Sequence, residues 1–260
     1  MENAQDNRKF GLIGRDISYS FSKGFFAEKF QNEKRDATYV NFDCATVSAV
    51  QEVLTDTSVS GYNVTIPYKQ DVIEMLDSLD KDAQAIGAVN TIKRHADGSL
   101  TGHNTDFIGF KNSLLEQIPT GSLGGENVRA LILGTGGASK GVRYALEGMG
   151  VHCQYISRKR IAKTNDHPGT LTYDDLNATL IKEAKLIVNC TPVGTYPDVE
   201  KAPSFLYDAI TEKHIMYDLI YNPSETRFLK EGKQRGALIC NGLRMLELQA
   251  EASWRIWQNT

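Results

Sequence analysis

The sequence predicts an α/β protein, in which short apolar strands alternate with amphipathic helices along the chain. Apolar residues recur every three or four positions between short β-rich segments, which is the pattern of helices that follow strands. The segment 129–133 is apolar after its first residue and does not alternate, as expected for a strand buried on both faces of a parallel sheet. It runs into a glycine-rich turn, a helix and a second strand. This βαβ unit predicts a parallel sheet covered by helices on both faces.

The first 105 residues or so are predicted to alternate between strands and helices and to end in a hairpin. Pro67 ends one strand, because proline has no amide hydrogen to donate to a sheet. The Asp97-Gly98 pair indicates a hairpin, because both residues tolerate the backbone of a tight turn. In chain order the predicted elements are a strand at 10–13, a helix at about 22–33, a strand at 38–42, a helix at 47–54, a strand at 59–66, a helix at 72–79 and the hairpin strands 88–94 and 99–102.

After a glycine-rich break at 121–125 the alternation continues. The strands in this part are short and apolar throughout, in agreement with a buried parallel sheet. The strands are predicted at 129–133, 151–156, 186–190, 215–219 and 237–240, with a helix from the glycine turn to about residue 149 and a last helix at 243–257.

The composition excludes several classes of protein. With 29 Lys and Arg against 32 Asp and Glu, the net charge of −3 gives no bulk field that would gather nucleic acid. No apolar run approaches the roughly 20 residues of a membrane span, and the polar N-terminus is unlike a signal peptide. The four cysteines are far apart and form no C-x-x-C pair. We therefore expect a cytoplasmic protein with reduced thiols and without a metal site. A small-molecule substrate and a monomeric or homodimeric state are further expectations, which the composition alone does not establish.

A glycine loop follows the apolar strand at Gly134-Thr135-Gly136-Gly137-Ala138-Ser139. Gly134 permits the tight turn out of the strand, and Gly136 lets the backbone approach a pyrophosphate. The free amides and the positive dipole end of the new helix then favour the phosphates. Ser139 is small enough for close packing and adds a hydroxyl donor. The loop predicts a dinucleotide site, with a purely structural turn as the alternative.

The end of the second strand indicates which dinucleotide would bind. An NAD site needs an acidic residue there to accept from the ribose 2′-hydroxyl, but this strand ends in Ser157-Arg158-Lys159-Arg160. A carboxylate would repel a 2′-phosphate, whereas Arg or Lys pairs with it through charge-assisted bonds. The sequence therefore favours NADP, unless these three cations are only a solvated run of charge.

Three short polar segments in the first half are unlike packing residues. In Asn63-Val64-Thr65-Ile66-Pro67-Tyr68-Lys69, polar and apolar residues alternate at first, so that the polar side chains can share one face. An amide, Asn90, stands in Gly87-Ala88-Val89-Asn90-Thr91, and Asp106 ends Gly102-His103-Asn104-Thr105-Asp106. Taken singly, Lys69 can be a surface lysine and Asp106 only a helix N-cap.

Together these segments resemble the NADP-dependent shikimate dehydrogenases, the shikimate/quinate dehydrogenase family of aromatic amino-acid and chorismate biosynthesis. The order N-V-T-I-P-Y-K, G-A-V-N-T and N-T-D is highly specific, and the resemblance spans nearly the whole chain. Further matching segments are Tyr19-Ser20-Phe21-Ser22, the glycine loop, Asn189-Cys190-Thr191-Pro192-Val193-Gly194, Tyr217-Asp218-Leu219-Ile220-Tyr221-Asn222-Pro223 and Asn241-Gly242-Leu243 to Gln249.

The resemblance implies a role for each matching residue. Lys69 and Asp106 correspond to the catalytic pair, a coupled acid and base at the oxygen of shikimate or 3-dehydroshikimate. The hydride passes to or from the nicotinamide of the cofactor. Residues that match those around the substrate are Ser20, Ser22, Thr65, Asn90, Tyr221 and Gln249. Residues that match those around NADP are Gly134, Gly136, Gly137, Ala138, Ser139, Ser157, Arg158, Lys159, Thr191 and Gly242.

The resemblance also implies a fold with two lobes and a cleft that holds the reacting atoms. A substrate-binding α/β domain would comprise residues 1–105 and 241–260, to which the C-terminal helix returns. A Rossmann-type, doubly wound domain that binds NADP would comprise residues 106–240.

The chain departs from the family pattern at two places. Tyr19 and Lys23 replace the His and Pro of H-S-x-S-P, and Ser157-Arg158-Lys159 replaces Asn-Arg-Thr. Three alternatives remain at this stage: a quinate/shikimate dehydrogenase that uses NAD, a non-enzymatic NADP-binding sensor, and a metal-assisted alcohol dehydrogenase. The five histidines show no ligand spacing that would favour the last.

Overall fold

The computed structural model describes residues 7–18, 20–163 and 169–259. The chain divides into two compact units, which we call the first unit, residues up to 105 together with those from 249 onward, and the second unit, residues 106–248. The chain therefore returns to the first unit at residue 249, whereas the sequence-based boundary for this return was residue 241. In the described residues no helix has the length and apolarity needed to cross a membrane.

Strands and helices alternate along most of the chain. The strands are β1 (Arg8–Gly14), β2 (Ala37–Asp43), β3 (Val59–Val64), β4 (Ser78–Leu79), β5 (Thr91–Arg94), β6 (Leu100–His103), β7 (Arg129–Leu133), β8 (His152–Ser157), β9 (Thr170–Thr172), β10 (Leu186–Asn189), β11 (Ile215–Asp218) and β12 (Leu238–Cys240). The α-helices are α1 (Phe21–Asn32), α2 (Val47–Leu54), α3 (Lys81–Ile86), α4 (Asp106–Gln117), α5 (Gly137–Glu147), α6 (Ala178–Glu183), α7 (Arg227–Gln234) and α8 (Leu243–Gln258). Short 3₁₀ helices lie at Asp71–Met75, Tyr173–Asp175 and Tyr207–Ala209.

The first unit is built on a mixed six-stranded sheet in the order β2-β1-β3-β5-β6-β4. β1 pairs in parallel with β2 and β3, whereas the predicted hairpin of β5 and β6 is antiparallel and pairs with β3. Aromatic and apolar residues of β1, α1 and α8 form one core, which contains Phe10, Phe26 and Trp257. The Trp257 ring stacks on that of Phe10 at 4.7 Å, so the end of α8 is anchored in the first unit.

The second unit is a parallel six-stranded sheet in the order β12-β11-β10-β7-β8-β9. This is the strand order of a doubly wound dinucleotide-binding fold. Successive residues of β7 face opposite sides, as the period of a strand requires: Ala130 and Ile132 pack in one core with α4 and α5, and Leu131 and Leu133 in another with α6 and α7. The predicted α/β class with two lobes, of which the second is doubly wound, is confirmed.

One predicted helix is wrong. The apolar residues between 72 and 79 form a 3₁₀ helix at Asp71–Met75 and then the short strand β4, which pairs in parallel with β6. Leu76 already has an extended backbone, and the Asp77 amide donates to the Leu100 carbonyl at 3.0 Å. The sheet edge therefore overrides the helical spacing, because pairing with β6 satisfies backbone groups that a helix would otherwise satisfy.

Candidate active site

Asn90 lies at the centre of a set of buried hydrogen bonds in the first unit. Its side chain is 2% exposed. The Nδ2 group donates to Thr105 Oγ1 at 2.9 Å and to Gln249 Oε1 at 3.2 Å, and Oδ1 accepts from the Thr105 amide at 2.6 Å. Two predicted substrate residues, Asn90 and Gln249, are therefore brought together, although they are 159 positions apart in the sequence.

Further buried hydrogen bonds connect the residues around Asn90 with one another, and all of the side chains involved are uncharged. Ser253 Oγ lies 2.7 Å from Thr91 Oγ1 and 3.1 Å from Thr105 Oγ1, and it accepts from Asn63 Nδ2 at 2.9 Å. Asn63 Oδ1 in turn accepts from the Tyr39 hydroxyl at 2.8 Å. Buried polar groups are costly unless they are hydrogen-bonded, so a network with this many bonds holds its members in fixed positions. We call these seven residues the polar network: Tyr39, Asn63, Asn90, Thr91, Thr105, Gln249 and Ser253.

The two predicted serines lie at the start of α1 and differ in their partners. Burial raises the pKa of the Tyr39 hydroxyl, while a hydrogen bond from the Ser22 side chain lowers it, so Ser22 touches the polar network. Ser20 Oγ is buried and has no hydrogen-bond partner in the part of the chain that is described. An unsatisfied buried hydroxyl needs an explanation, and a bound ligand supplies one. Tyr19, which departs from the family pattern, lies outside the described residues.

Thr65 and Lys69 stand on the loop that follows β3. The Thr65 amide donates to the Ile13 carbonyl at 2.8 Å, and the Val89 amide donates to the Lys69 carbonyl at 2.7 Å. Between them, Tyr68 is 1% exposed, and its hydroxyl donates to the Cys44 carbonyl at 2.5 Å. The loop is therefore fixed at both ends and in the middle, while the side chains of Thr65 and Lys69 are each half-buried.

Asp106 is the first residue of α4 and belongs to the second unit. Its side chain is 5% exposed, which is unusual for an aspartate. The cap position of α4 falls on the residue before it, Thr105, because the helix begins at Asp106. The sequence-based alternative made Asp106 the N-cap of α4. In the structure Asp106 is instead the first helical residue, one position after the cap.

The glycine loop connects β7 to α5 as predicted. Gly134 has φ +103°, which L side chains rarely adopt, and a Cβ there would lie 3.1 Å from Thr191 Cγ2. Gly136 is the N-cap residue of α5 and, having no side chain, leaves the first amides of the helix without a side-chain acceptor. A Cβ added to Gly136 would meet no protein atom within 4 Å. Gly137 and Ala138 form the first turn of α5, so their amides belong to the group that a helix leaves without intrahelical partners.

Ser139 has a different role from the one that the sequence suggested for its hydroxyl. The side chain is fully buried, and Oγ donates to the Gly136 carbonyl at 2.7 Å. The Ser139 carbonyl accepts from the Tyr155 hydroxyl at 3.2 Å. Ser139 therefore closes the glycine loop on itself and ties it to β8, and its hydroxyl is used inside the protein.

The cations after β8 do not act as one cluster. Arg160 forms an ion pair with Asp175, with Nη2 at 2.5 Å and 2.6 Å from the two carboxylate oxygens. Among the described residues, no hydrogen bond or ion pair engages the exposed side chains of Arg158 and Lys159. Ser157 Oγ bonds the Lys159 carbonyl and accepts from its amide, which shapes the turn that presents these two cations.

Thr191 lies in the turn after β10, opposite Gly134. Its amide and its hydroxyl both donate to Asn189 Oδ1, at 3.0 Å and 2.7 Å. The other end of that side chain, Asn189 Nδ2, donates to Asp218 Oδ1 at 3.0 Å. The position of Thr191 therefore depends on a buried amide and, through it, on a buried carboxylate.

Asp218 ends β11 and has no exposed surface. Besides the bond from Asn189, its carboxylate accepts from the Ile220 amide at 3.0 Å and from Thr226 Oγ1 at 2.6 Å. Desolvation raises the pKa of Asp218 to about 6, although all three hydrogen bonds lower it. Desolvation also raises the pKa of the Cys190 thiol, and the Asp218 charge adds to this, so Cys190 is an unreactive thiol at neutral pH.

The Asp218→Asn variant is expected to gain unfolding free energy relative to the wild-type protein as the pH rises. An aspartate of ordinary pKa 3.8 whose folded pKa is about 6 binds its proton more tightly in the folded state. Its contribution to stability is therefore fully present below about pH 4 and is lost as the pH rises through about 6. The full change corresponds to about 3 kcal/mol.

Urea unfolding of the wild-type and Asp218→Asn proteins between about pH 4.5 and 8 measures the difference between their unfolding free energies. The titration of groups that both proteins contain cancels in this difference. A difference in unfolding free energy that does not change with pH would contradict the raised pKa.

Tyr221 and Gly242 follow the next two strands of the sheet. Tyr221 is half-buried and comes directly after Ile220, whose amide Asp218 holds. A Cβ on Gly242 would overlap the Leu219 carbonyl oxygen, so only glycine allows these two backbones to approach. The Gly242 amide donates to the Ile220 carbonyl at 3.1 Å, which links the start of α8 to the loop of Tyr221.

Comparison with known proteins identifies the family. A sequence model described as the shikimate dehydrogenase substrate-binding domain matches residues 12–92. A protein of Desulforamulus reducens named shikimate dehydrogenase (NADP(+)) is 35% identical over 95% of this chain and 88% of its own length. The chain belongs to the shikimate dehydrogenase family. This identity is too high and too extensive to reflect a shared fold alone.

Solved structures of shikimate dehydrogenases have the same architecture. One from Thermus thermophilus, determined in complex with NADP(H) and shikimate, has a TM-score of 0.82 and 30% identity over 96% of this chain and 93% of that one. A quinate dehydrogenase from Corynebacterium glutamicum in complex with NAD has a TM-score of 0.83 but only 26% identity, over 97% of this chain and 94% of that one. The relatives named for NADP(+) therefore favour shikimate dehydrogenase over the NAD-using alternative.

Sequence reasoning missed several buried residues that support the candidate site. Tyr39, Thr91, Ser253, Asn189 and Asp218 are all buried and all hydrogen-bonded to predicted site residues or to their neighbours. Thr91, Asn189 and Asp218 stand in segments that match the family, but only the structure shows the hydrogen bonds through which they support other residues. Lys140 was also missed: it lies in the first turn of α5, and desolvation lowers its pKa.

Proposed function

We propose that this protein is an NADP-dependent shikimate dehydrogenase that reversibly reduces 3-dehydroshikimate to shikimate in aromatic amino-acid and chorismate biosynthesis. The observation that carries the proposal is the buried polar network of the first unit, which occurs in the same chain as a glycine loop followed by cations that have no partner among the described residues. A cyclic polyol acid needs several donors and acceptors at fixed positions, and a dinucleotide phosphate needs the loop and the cations.

The substrate-binding groups are uncharged and short, which suits a ring that carries hydroxyls and a carboxylate. Ser20 offers a hydroxyl with no partner in the described protein, and the polar network holds the side chains of Asn90 and Gln249 in fixed positions. Ser22, Thr65 and Tyr221 complete the set that we assign to the substrate. Because a buried site rejects an analogue that leaves its polar groups unpaired, these residues would discriminate strongly among polyols.

The second unit has the features that NADP requires. The space where a Cβ of Gly136 would stand is open, and the first-turn amides of α5 at Gly137 and Ala138 favour a pyrophosphate. Arg158 and Lys159, presented by the Ser157 turn, would hold the 2′-phosphate. Gly134, Ser139, Thr191 and Gly242 shape the backbone around the site. NADP, when bound, supplies the nicotinamide that accepts or gives the hydride.

The protein has to move one proton at the substrate oxygen while the hydride is transferred. We assign this role to Lys69 and Asp106, as the family implies. The Lys69 backbone is fixed by its bond from the Val89 amide, so that its ammonium group moves only through its own side-chain torsions. Such positioning of an acid or base contributes typically about 100- to 10,000-fold to a rate.

Turnover of shikimate with NADP⁺ tests the proposal directly. Reduction of NADP⁺ by shikimate is expected, with a kcat/KM well above those for NAD⁺ or for quinate. A clear preference for NAD⁺ would overturn the cofactor assignment, and NADPH binding without turnover of shikimate would favour a sensor. Full activity in the presence of a chelator is the control for a metal-assisted reaction. The cytoplasmic location and the choice between monomer and homodimer stay predictions.

A further inference from the structure

Two loops that follow neighbouring strands of the second sheet are hydrogen-bonded to the same carboxylate. The loop after β10 contains Thr191, and the loop after β11 contains Ile220 and Tyr221. Asp218 Oδ1 accepts from both, through the Asn189 side chain and the Ile220 amide, each at 3.0 Å. One oxygen atom therefore bonds both loops, in addition to the backbone bond that the Leu219 amide donates to the Asn189 carbonyl at 3.0 Å.

The bond from Asn189 continues to the glycine loop. Asn189 Oδ1 accepts twice from Thr191, at the amide and at the hydroxyl, and Asn189 itself is fully buried. The Thr191 methyl group lies against Gly134, where an added Cβ would be 3.1 Å from it. A movement of Asn189 would therefore change the packing of the turn from which the glycine loop leaves its strand.

The second oxygen of Asp218 binds a different element. Thr226 Oγ1 donates to Oδ2 at 2.6 Å, and the same hydroxyl accepts from the Leu229 amide at 3.3 Å as the N-cap of α7. In the described part of the chain no Lys, Arg or His pairs with Asp218. A carboxylate buried with neutral donors alone is expensive, and apolar packing would be cheaper if only stability mattered.

We propose that Asp218 is a positioning residue for the dinucleotide, which acts through Asn189 on Thr191 and the glycine loop. This inference rests on the proposed NADP site. It assigns to Asp218 no contact with cofactor or substrate. Its function is to keep two loops and the glycine turn in the arrangement that binds NADP, so that little ordering is required when the cofactor arrives.

The test is NADPH affinity, measured by titration calorimetry without substrate, together with unfolding in urea. Asp218→Ala removes both acceptor oxygens and with them all three hydrogen bonds, and it is expected to raise the Kd of NADPH by about tenfold or more. Asp218→Asn keeps an oxygen toward Asn189 and Ile220 and turns an NH₂ group toward Thr226, whose hydroxyl can accept. This variant is expected to bind NADPH within about threefold of the wild-type protein.

A second variant tests the route. Asn189→Ala is expected to weaken NADPH binding about as much as Asp218→Ala, and the double variant no more than either, because both lie on one path. Thr226→Ala is the matched control: it removes the Oδ2 donor and the cap of α7, but it leaves the bond to Asn189 in place. It is expected to lower the urea midpoint while the Kd of NADPH stays within about threefold of the wild-type value.

The outcomes separate this inference from the proposed function. If the wild-type protein does not bind NADPH, both are contradicted. If it binds NADPH, but the Asn189→Ala variant binds equally well, the positioning role of Asp218 is wrong while the proposed function stands. Additive effects of Asp218→Ala and Asn189→Ala would also overturn it. If Asp218→Ala does not fold, the Asn189→Ala and Thr226→Ala pair still decides the matter.

Discussion

Replacing Lys69 by methionine is expected to lower kcat for shikimate oxidation by about 100- to 10,000-fold, because a positioned proton donor and acceptor is lost. Methionine keeps much of the apolar stem, and the loop stays fixed by the bonds of Thr65, Tyr68 and the Lys69 carbonyl. The fold and NADPH binding should therefore remain. Steady-state turnover and NADPH titration of the same preparation measure the two effects separately.

Lys69→Arg distinguishes proton transfer from a purely electrostatic role. Arginine keeps the positive charge but does not give up its proton in proteins, so this variant should be nearly as slow as Lys69→Met. Lys81→Met, at an exposed position on α3, is the matched control and should retain wild-type turnover. If Lys69→Met retained more than about a tenth of the wild-type kcat, the catalytic assignment would be wrong.

Much of the fold could be predicted because its strands are short, buried and separated by turns with clear chemistry. The Asp97-Gly98 turn, the apolar strand before the glycine loop and the spacing of Leu246, Ala250 and Trp254 each indicate one structure. The element at 72–79 failed for the opposite reason. Its spacing fits a helix, but pairing of Ser78 and Leu79 with β6 decides its conformation, and a local pattern carries no information about a distant partner.

The candidate site was predictable only where chemistry stands out in the sequence. Lys69 and Asp106 are polar residues shortly after predicted strands, Asn90 lies within one, and the glycine loop has a recognised pattern. Ser139 illustrates the limit: its presence in the loop could be read, but the direction of its hydroxyl toward the Gly136 carbonyl could not. The direction of a hydrogen bond depends on which acceptor the fold brings near.

The supporting residues could not be predicted, because their partners are remote in sequence. Ser253 bonds Asn63 across 190 positions, and Asn189 bonds Asp218 across 29. A buried serine or aspartate in an apolar segment shows that a partner must exist, but not which one. The same limit applies to the cations after β8, where only the structure shows that Asp175 neutralises Arg160 and leaves Arg158 available.

Replacing Arg158 by aspartate is expected to reverse the cofactor preference. The guanidinium has no ion-pair partner among the described residues, so it is available for a 2′-phosphate. A charge-assisted hydrogen bond contributes about 1.5–3 kcal/mol, and its loss alone should lower kcat/KM for NADP⁺ by about 10- to 150-fold. Aspartate also repels the phosphate and can accept from the ribose 2′-hydroxyl of NAD⁺, which lowers the ratio of NADP⁺ to NAD⁺ further.

Arg160→Gln is the matched control, because it removes a neighbouring cation whose charge the Asp175 carboxylate already neutralises. Its ratio of kcat/KM for NADP⁺ to that for NAD⁺ should stay within about threefold of the wild-type value.

The comparison of the two variants distinguishes a specific phosphate contact from a general basic surface. If Arg160→Gln and Arg158→Asp lowered NADP⁺ use equally, the cations would act through their summed field, and the preference should then weaken as salt is added. A contact at Arg158 instead predicts a preference that largely survives high salt, since a close, charge-assisted pair with phosphate is screened far less.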